Sequence, residues 1–422
     1  MTWLQRYQLR RMFRWSLWFL PALAMFAVLL IAPLVRWIDR ALGWSWFNLT
    51  PDGARSILGA FTASMLTFVV FVVSSMLIVV QLASAQLTPR VIAMAFTDRK
   101  FKWVLAAFTF AFAYTIAAAG RVESVTPQLP VALAITLDLA CIALFFWFVQ
   151  ALGGSLRPIT ILSKVAGEGV GVIEGVYPNR FDPDEKPHAW SPRPPGFDEL
   201  THAGQTGVFL AFSLPAVVSL AERSDSFIEL IPQVGDFLSK GEPLFRVSTS
   251  GRPIDPELLR ACVAVGQERT IEQDPRFAFR IIVDIANKAL SPAINDPTTA
   301  VLALDQLHRL LMCVGRRRLD EGQVHDAQGR LRFSYRTPDW TDFVSLAVSE
   351  IRHFGAGSLQ VARRLRAMLE HLLRVLPEAR HAALKRELEL LQSATQRLFP
   401  DDEDRASCTV GDLQGIGGSR SS

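Results

Sequence analysis

Cysteine is scarce in this sequence, with four in 422 residues (Cys141, Cys262, Cys313 and Cys408). They are scattered and supply neither a disulfide framework nor zinc spacing, the pattern expected where a reducing cytosol bathes the soluble part. The seven histidines, His188, His202, His308, His325, His353, His371 and His381, show no ligand spacing either. No glycine-rich phosphate loop ending in Lys-Ser/Thr, no His-Glu-x-x-His and no Gly-x-Ser-x-Gly occurs. Nothing therefore calls for a metal, a cofactor or an enzyme, and a membrane-bound hydrolase built on the carboxylates lacks a nucleophile. The net charge of +4 is a mild excess that needs no nucleic acid to explain it.

What the chain does have is four apolar stretches, near residues 16–38, 57–81, 101–120 and 130–152. Each meets the requirement of about 20 apolar residues for crossing a bilayer. Arg6, Arg10, Arg11 and Arg14 precede the first stretch, and Arg90, Arg99, Lys100 and Lys102 separate the second from the third. The other two connections carry fewer basic residues (Arg36, Arg40 and Arg55; Arg121), so the positive-inside rule predicts a cytoplasmic N terminus and a cytoplasmic C-terminal domain. A signal peptide is the alternative for the first stretch. Its length and the flank Arg36, Trp37, Asp39 and Arg40 argue against a small-residue cleavage site. Trp15, Trp18, Trp37, Trp44, Trp46 and Trp103 suit interfacial anchors.

The second stretch is the unusual one. Thr67, Ser74, Gln81 and Thr88 recur every seven positions and line one helix face, which Ser64 and Ser84 broaden. Such a stripe is either interhelical glue or the polar lining of a pathway made by several copies of the helix. In the fourth stretch Asp138 places a carboxylate about two turns from the external end, within reach of a pairing with Arg121. An intramembrane carboxylate is costly and is a functional candidate on that ground.

Beyond residue 157 the chain changes character. Residues 158–198 include FDPDEKPHAWSPRPPGFD and read as a linker with little regular structure. Residues 199–250 read as a small β-rich unit, in which VGDFLSKGEPL looks like the turn of a biotinyl or lipoyl-type barrel-sandwich. Lys240 lies in that turn without a carrier-type Met-Lys-Met context, so no prosthetic group is expected. Residues 251–398 read as mostly helical and 399–422 as a disordered tail. Asp255, Asp274 and Asp296 each precede a proline at a helix start, where the carboxylate can accept an early backbone NH and the proline loses nothing. Within PRFAFRIIVDIANKALS, Arg280, Asp284 and Lys288 fall four apart on one face. If covered, that face would gather Glu268, Arg269, Asn295 and Asp296 into a fixed polar cluster; if exposed, it is a solvated helix side. A hairpin is expected around Ala327, Gln328 and Gly329, and two amphipathic helices on either side of Pro377.

The string GQERTIEQDPRFAFRIIVDIANKALSPAINDPTTA, with LRRMFRWSLWFLPAL, ASMLTFVVFVVSSMLIVVQLASAQLTPRVI and VGDFLSKGEPLFRV, resembles the bacterial membrane-protein family catalogued as domain of unknown function 2254. The resemblance runs over nearly the whole chain and implies a multi-pass inner-membrane protein. It brings no reaction, substrate or catalytic residue. Phe148-Val-Gln150 stands where the family is associated with paired histidines at the inner end of the fourth span, and the Pro-rich linker is longer than usual. The expected fold is thus a membrane domain of four transmembrane helices, residues 1–157, followed by an α+β cytosolic domain with the small barrel-sandwich-like unit. The expected function is an oligomeric channel or transporter-like protein in the lipid bilayer, with an ion or small ligand unidentified. The alternative is a membrane-anchored ligand-binding or signalling module.

Overall fold

The computed structural model describes residues 2–43, 49–86, 99–123, 126–155, 157–183, 196–249, 251–319 and 322–417. The chain divides into two compact units, Arg10–Arg157 and Met1–Leu9 with Pro158–Ser422.

A first helix, α1, covers Trp3–Trp15. Among the described residues of the membrane unit four helices are long and apolar enough to cross a bilayer: α2 (Phe19–Leu42), α3 (Pro51–Gln86), α4 (Arg99–Ala119) and α5 (Gln128–Ser155). Gly43 ends α2 in the left-handed region (φ 59°), its NH donating to the Asp39 carbonyl. The Asp39 carboxylate accepts the Leu129 NH at 2.8 Å, supplying one of the acceptors that the first turn of α5 lacks. Half of the apolar window of α4 is buried inside the unit, against 22% to 28% for the other three. It is therefore the central helix. On one side Phe101, Val104 and Phe108 of α4 meet Met65 and Val72 of α3 and Phe148 of α5; on the other Tyr114 and Ala118 meet Val28 and Ala32 of α2. Phe68 stacks on Phe145 with ring centroids 4.7 Å apart.

The second unit begins with a correction: residues expected to open a linker form α6 (Pro158–Val176). Its buried face, Leu162, Val165, Ala166, Gly169 and Ile173, is a helix-period stripe that the glycine count of the segment obscured. Gly169 is needed because a Cβ there would come within 2.8 Å of Ala278. The Pro-rich residues 184–195 lie outside the described residues.

Among the described residues eight strands form two sheets. Strands β1 (Asp198–Thr201), β5 (Pro243–Thr249), β3 (Ser226–Leu230), β8 (Leu331–Ser334) and β7 (Gln323–His325) pair in that order, antiparallel except for β3 with β8. Strand β2 (Gly207–Phe212) lies between β4 (Phe237–Leu238) and β6 (Val263–Gly266). Phe209, Ile228, Phe245, Val263 and Phe333 share one core with Val217 and Ala221 of α7 (Leu214–Arg223). The β unit is thus not closed at residue 250, because β6, β7 and β8 come from beyond it. These strands make a mixed five-stranded sheet and an antiparallel three-stranded one. The expected hairpin is present, with Gly329 at φ 76° between β7 and β8.

The helices are α8 (Pro256–Arg260), α9 (Pro275–Ala289), α10 (Pro297–Gly315), α11 (Trp340–Gly355), α12 (Leu359–Val375), α13 (His381–Leu398) and α14 (Asp402–Cys408). Asp255, Asp274 and Asp296 cap α8, α9 and α10 through the NH groups of Glu257, Phe277 and Thr299. The segment expected to be a disordered tail differs from that reading as far as residue 417. It contains α14, and Arg363 and Arg366 of α12 donate to the carbonyls of Val410 and Cys408. Gln360 donates to the Gly415 carbonyl at 2.6 Å. These buried groups on α12 take their acceptors from a polar segment whose composition alone reads as disorder.

One junction ties the turn motif to the helices. Gly235 has φ 96°, and a Cβ built on it would stand 2.2 Å from Arg269 Nη2 and 2.6 Å from Asp274 Oδ2. Gly235→Ala should therefore separate the Arg269–Asp274 pair and strain the turn, lowering stability by more than about 1 kcal/mol. Thermal unfolding of the detergent-purified chain checks this; an unchanged midpoint would contradict the packing.

Candidate functional site

The polar stripe of α3 can be placed by simple helix arithmetic. Met65, Val72 and Val79 are buried against the bundle. Thr67, Ser74 and Gln81 each follow one of them by two residues, a rotation of about 200°. Ser64, Thr67, Ser74 and Gln81 are accordingly exposed on the side facing away from the other three helices. The Thr67 hydroxyl donates to the Ala63 carbonyl at 3.0 Å and that of Ser64 to Ala60 at 2.9 Å, so both are satisfied within the helix. Leu66, Val70, Val73, Leu77 and Ile78 share this exposed side. Thr88 lies outside the described residues.

Asp138 is fully buried between helices. Its Oδ2 accepts the Thr115 hydroxyl of α4 at 3.0 Å, while Oδ1 has no hydrogen-bond partner among the described residues. The sequence pointed to Arg121 as a partner; a threonine one turn inside α4 takes that place. Thr115 was not singled out in the sequence, since an intramembrane threonine resembles any other small helix-packing residue.

The expected cytosolic cluster separates into three parts. Arg269 pairs with Asp274 at 2.5 Å beneath the start of α9, and burial holds the Asp274 carboxyl above its usual range although Arg269 opposes it. Arg280 joins Asp284 (Nε to Oδ1, 2.6 Å) and Glu350 of α11 (Nη2 to Oε2, 2.7 Å). Asn287 also donates to Glu350, at 2.6 Å. The hydrogen bonds that Arg280 donates to Glu350 and Asp284 hold it in its charged form. Lys288 continues the same face, half-buried. Glu268 and Asn295 are exposed, Asn295 in the left-handed region (φ 48°), and Asp296 serves as the α10 cap. The ladder is therefore neither a free solvated face nor one site. It is a clamp between α9 and α11, and its missing members, Asn287 and Glu350, are 63 residues apart.

A second polar chain has no counterpart in the sequence reading. Arg364 of α12 donates to Asp305 of α10 at 2.7 Å and approaches His308 Nδ1 at 3.2 Å. His308 Nε2 lies 2.8 Å from His371 Nδ1. A guanidinium can only donate, so His308 Nδ1 accepts and the neutral ring donates its Nε2 proton to His371. Burial pushes His308 down to about 4, with Arg364 and His371 adding to the effect. The two histidines are 63 residues apart and meet only because α10 and α12 pack together. Among the described residues no group of three or more His, Cys, Asp or Glu side chains could hold a metal ion.

The chain belongs to the family described as "Predicted membrane protein (DUF2254)", whose model matches residues 14–371. It is 29% identical over 373 residues to an uncharacterized protein of Mycobacterium tuberculosis (strain H37Rv), covering 85% of this chain and 71% of that protein. An uncharacterized protein of Mycobacterium bovis matches to the same extent, 29% over 373 residues with the same 85% and 71% coverage. No solved structure matches.

The His308 arrangement sets a direction for pH dependence. Its folded pKa lies below the ordinary 6.5, so between 6.5 and about 4 the unfolded chain binds the extra proton. Stability should fall as pH drops through that window and level off below it. Thermal midpoints from pH 7.5 to 4 should show a shallower decline for His308→Gln than for the wild type; parallel curves would remove His308 from the account.

Proposed function

We propose that copies of this membrane protein associate through the outward side of α3 and that the Thr67, Ser74 and Gln81 stripe lines a polar route between them, giving a channel or transporter-like assembly. One observation carries this reading: the stripe lies opposite the face that α3 buries within its own bundle. In hydrocarbon, polar side chains on an outward face gain from a protein or water neighbour, and interhelical hydrogen bonds contribute about 0.6 to 2 kcal/mol each. A four-helix unit that spends its interior on Phe, Met and Val has no room for a route of its own. The buried Asp138 stays a candidate in the same reading, as a carboxylate whose second oxygen is available to a proton or cation. A cytosolic ligand-binding module draws less support, because Arg269, Arg280 and Asp284 already pair with carboxylates or guanidinium groups of the chain itself.

The orientation that accompanies this proposal is an inner-membrane protein with its N terminus and second unit in the cytoplasm, supported by the basic residues before α2 and at the start of α4.

Three experiments test this reading. Ser74→Cys and Thr67→Cys chains should form disulfide-linked dimers in membranes under mild oxidation, whereas Val72→Cys should not. In liposomes the paired substitution Ser74→Val with Gln81→Leu should abolish ion flux. A monomeric protein with flux indifferent to that pair would sink the proposal. For orientation, a cysteine placed at Glu123 should react with an impermeant maleimide from outside intact cells, and one placed at Glu403 only after lysis.

A further inference from the structure

A second feature of the membrane unit lies away from the α3 stripe. Between α4 and α5, two adjoining hollows of about 370 and 480 Å³ share Trp103, Ala107 and Leu144 as walls. Ala106, Ala107, Ala111 and Ala140 leave this space open, where elsewhere along the same helices Phe101, Phe108 and Phe148 fill it. We propose that this groove binds an acyl chain of an anionic phospholipid, with the lipid phosphate held at Arg99 and Lys100.

The dimensions fit one leaflet. From Leu137 to Trp147, both lining the groove, α5 rises about 15 Å, half of a hydrocarbon core of about 30 Å. The walls of the deeper hollow are apolar throughout, and an unfilled groove in a bilayer forfeits dispersion contacts that a lipid tail restores. The shallow end supplies the polarity. Arg99 and Lys100 are exposed there, and Trp103 and Trp147, both largely exposed, flank them at the level where indole rings meet headgroups. Among the described residues Arg99 pairs with no carboxylate. Lys102 donates to the Arg14 carbonyl at 2.5 Å, which brings a further arginine backbone to the same end of α4. Basic clusters between helices beside an apolar groove suit an anionic headgroup with its tail. A second copy of the chain docked two-fold over this groove would set Arg99 and Lys100 against their own counterparts, so like charge disfavours that occupant.

Native mass spectrometry of the full chain, released from detergent with equimolar phosphatidylglycerol and phosphatidylcholine, tests the proposal. Phosphatidylglycerol adducts should dominate, and Arg99→Gln should weaken that preference about fivefold. Ala107→Leu, which fills the shared wall, should remove adducts of both lipids. Should Ala107→Leu fail to fold, Ala111→Leu tests the deeper wall. Independently, phosphatidylglycerol brominated along its tails should quench the wild-type fluorescence more than it quenches a Trp103→Phe, Trp147→Phe chain. Equal retention of the two lipids, an Arg99→Gln preference unchanged from wild type, a folded groove-filled variant that keeps its adducts, or a lipid-free dimer held through this face would each overturn it.

Discussion

The second unit depends on what happens at Asp274. This buried carboxylate accepts the Phe277 NH at the start of α9, and its other oxygen takes the Arg269 guanidinium, which in turn rests on Gly235 in the turn before β4. A helix start, a loop cation and a β-turn are thus fixed by one residue. Burial favours the neutral acid, and the arginine and the helix terminus offset part of that effect. Because α9 is the most enclosed helix of the unit, with Phe277, Phe279, Ile281, Ile282 and Ile285 all buried, an error at its first turn would displace α6, α10 and α11 together.

The membrane unit follows a different constraint. Hydrocarbon offers no partner to a polar group, so Ser64 and Thr67 bond back to their own helix and Thr115 finds Asp138 on another. The two faces of α3 then differ in kind. One is apolar and spent within the bundle; the other mixes large aliphatic side chains with the polar stripe and faces outward.

Much of this was legible in the residues. Apolar length located all four spans, and the Asp-Pro steps announced three helix starts, because both signals are local in sequence. The α6 helix was hidden by its glycines, one of which is there to admit Ala278. The clamp on Arg280 and the His308–His371 chain could not be read, since the contacts between their helices join residues 56 to 70 positions apart and spacing carries no information across separate helices. For the α3 stripe, the sequence showed a shared face, and only the packing of Met65, Val72 and Val79 shows which way that face points.

The arginines of α12 impose an order on biosynthesis. Arg363 and Arg366 are buried, yet the carbonyls that receive them belong to residues 42 to 54 positions further along the chain. Until that stretch has emerged from the ribosome, α12 lacks the carbonyl acceptors that Arg363 and Arg366 use in the folded chain. The polar packing of α12 is therefore complete only once residues 408 to 417 have been made.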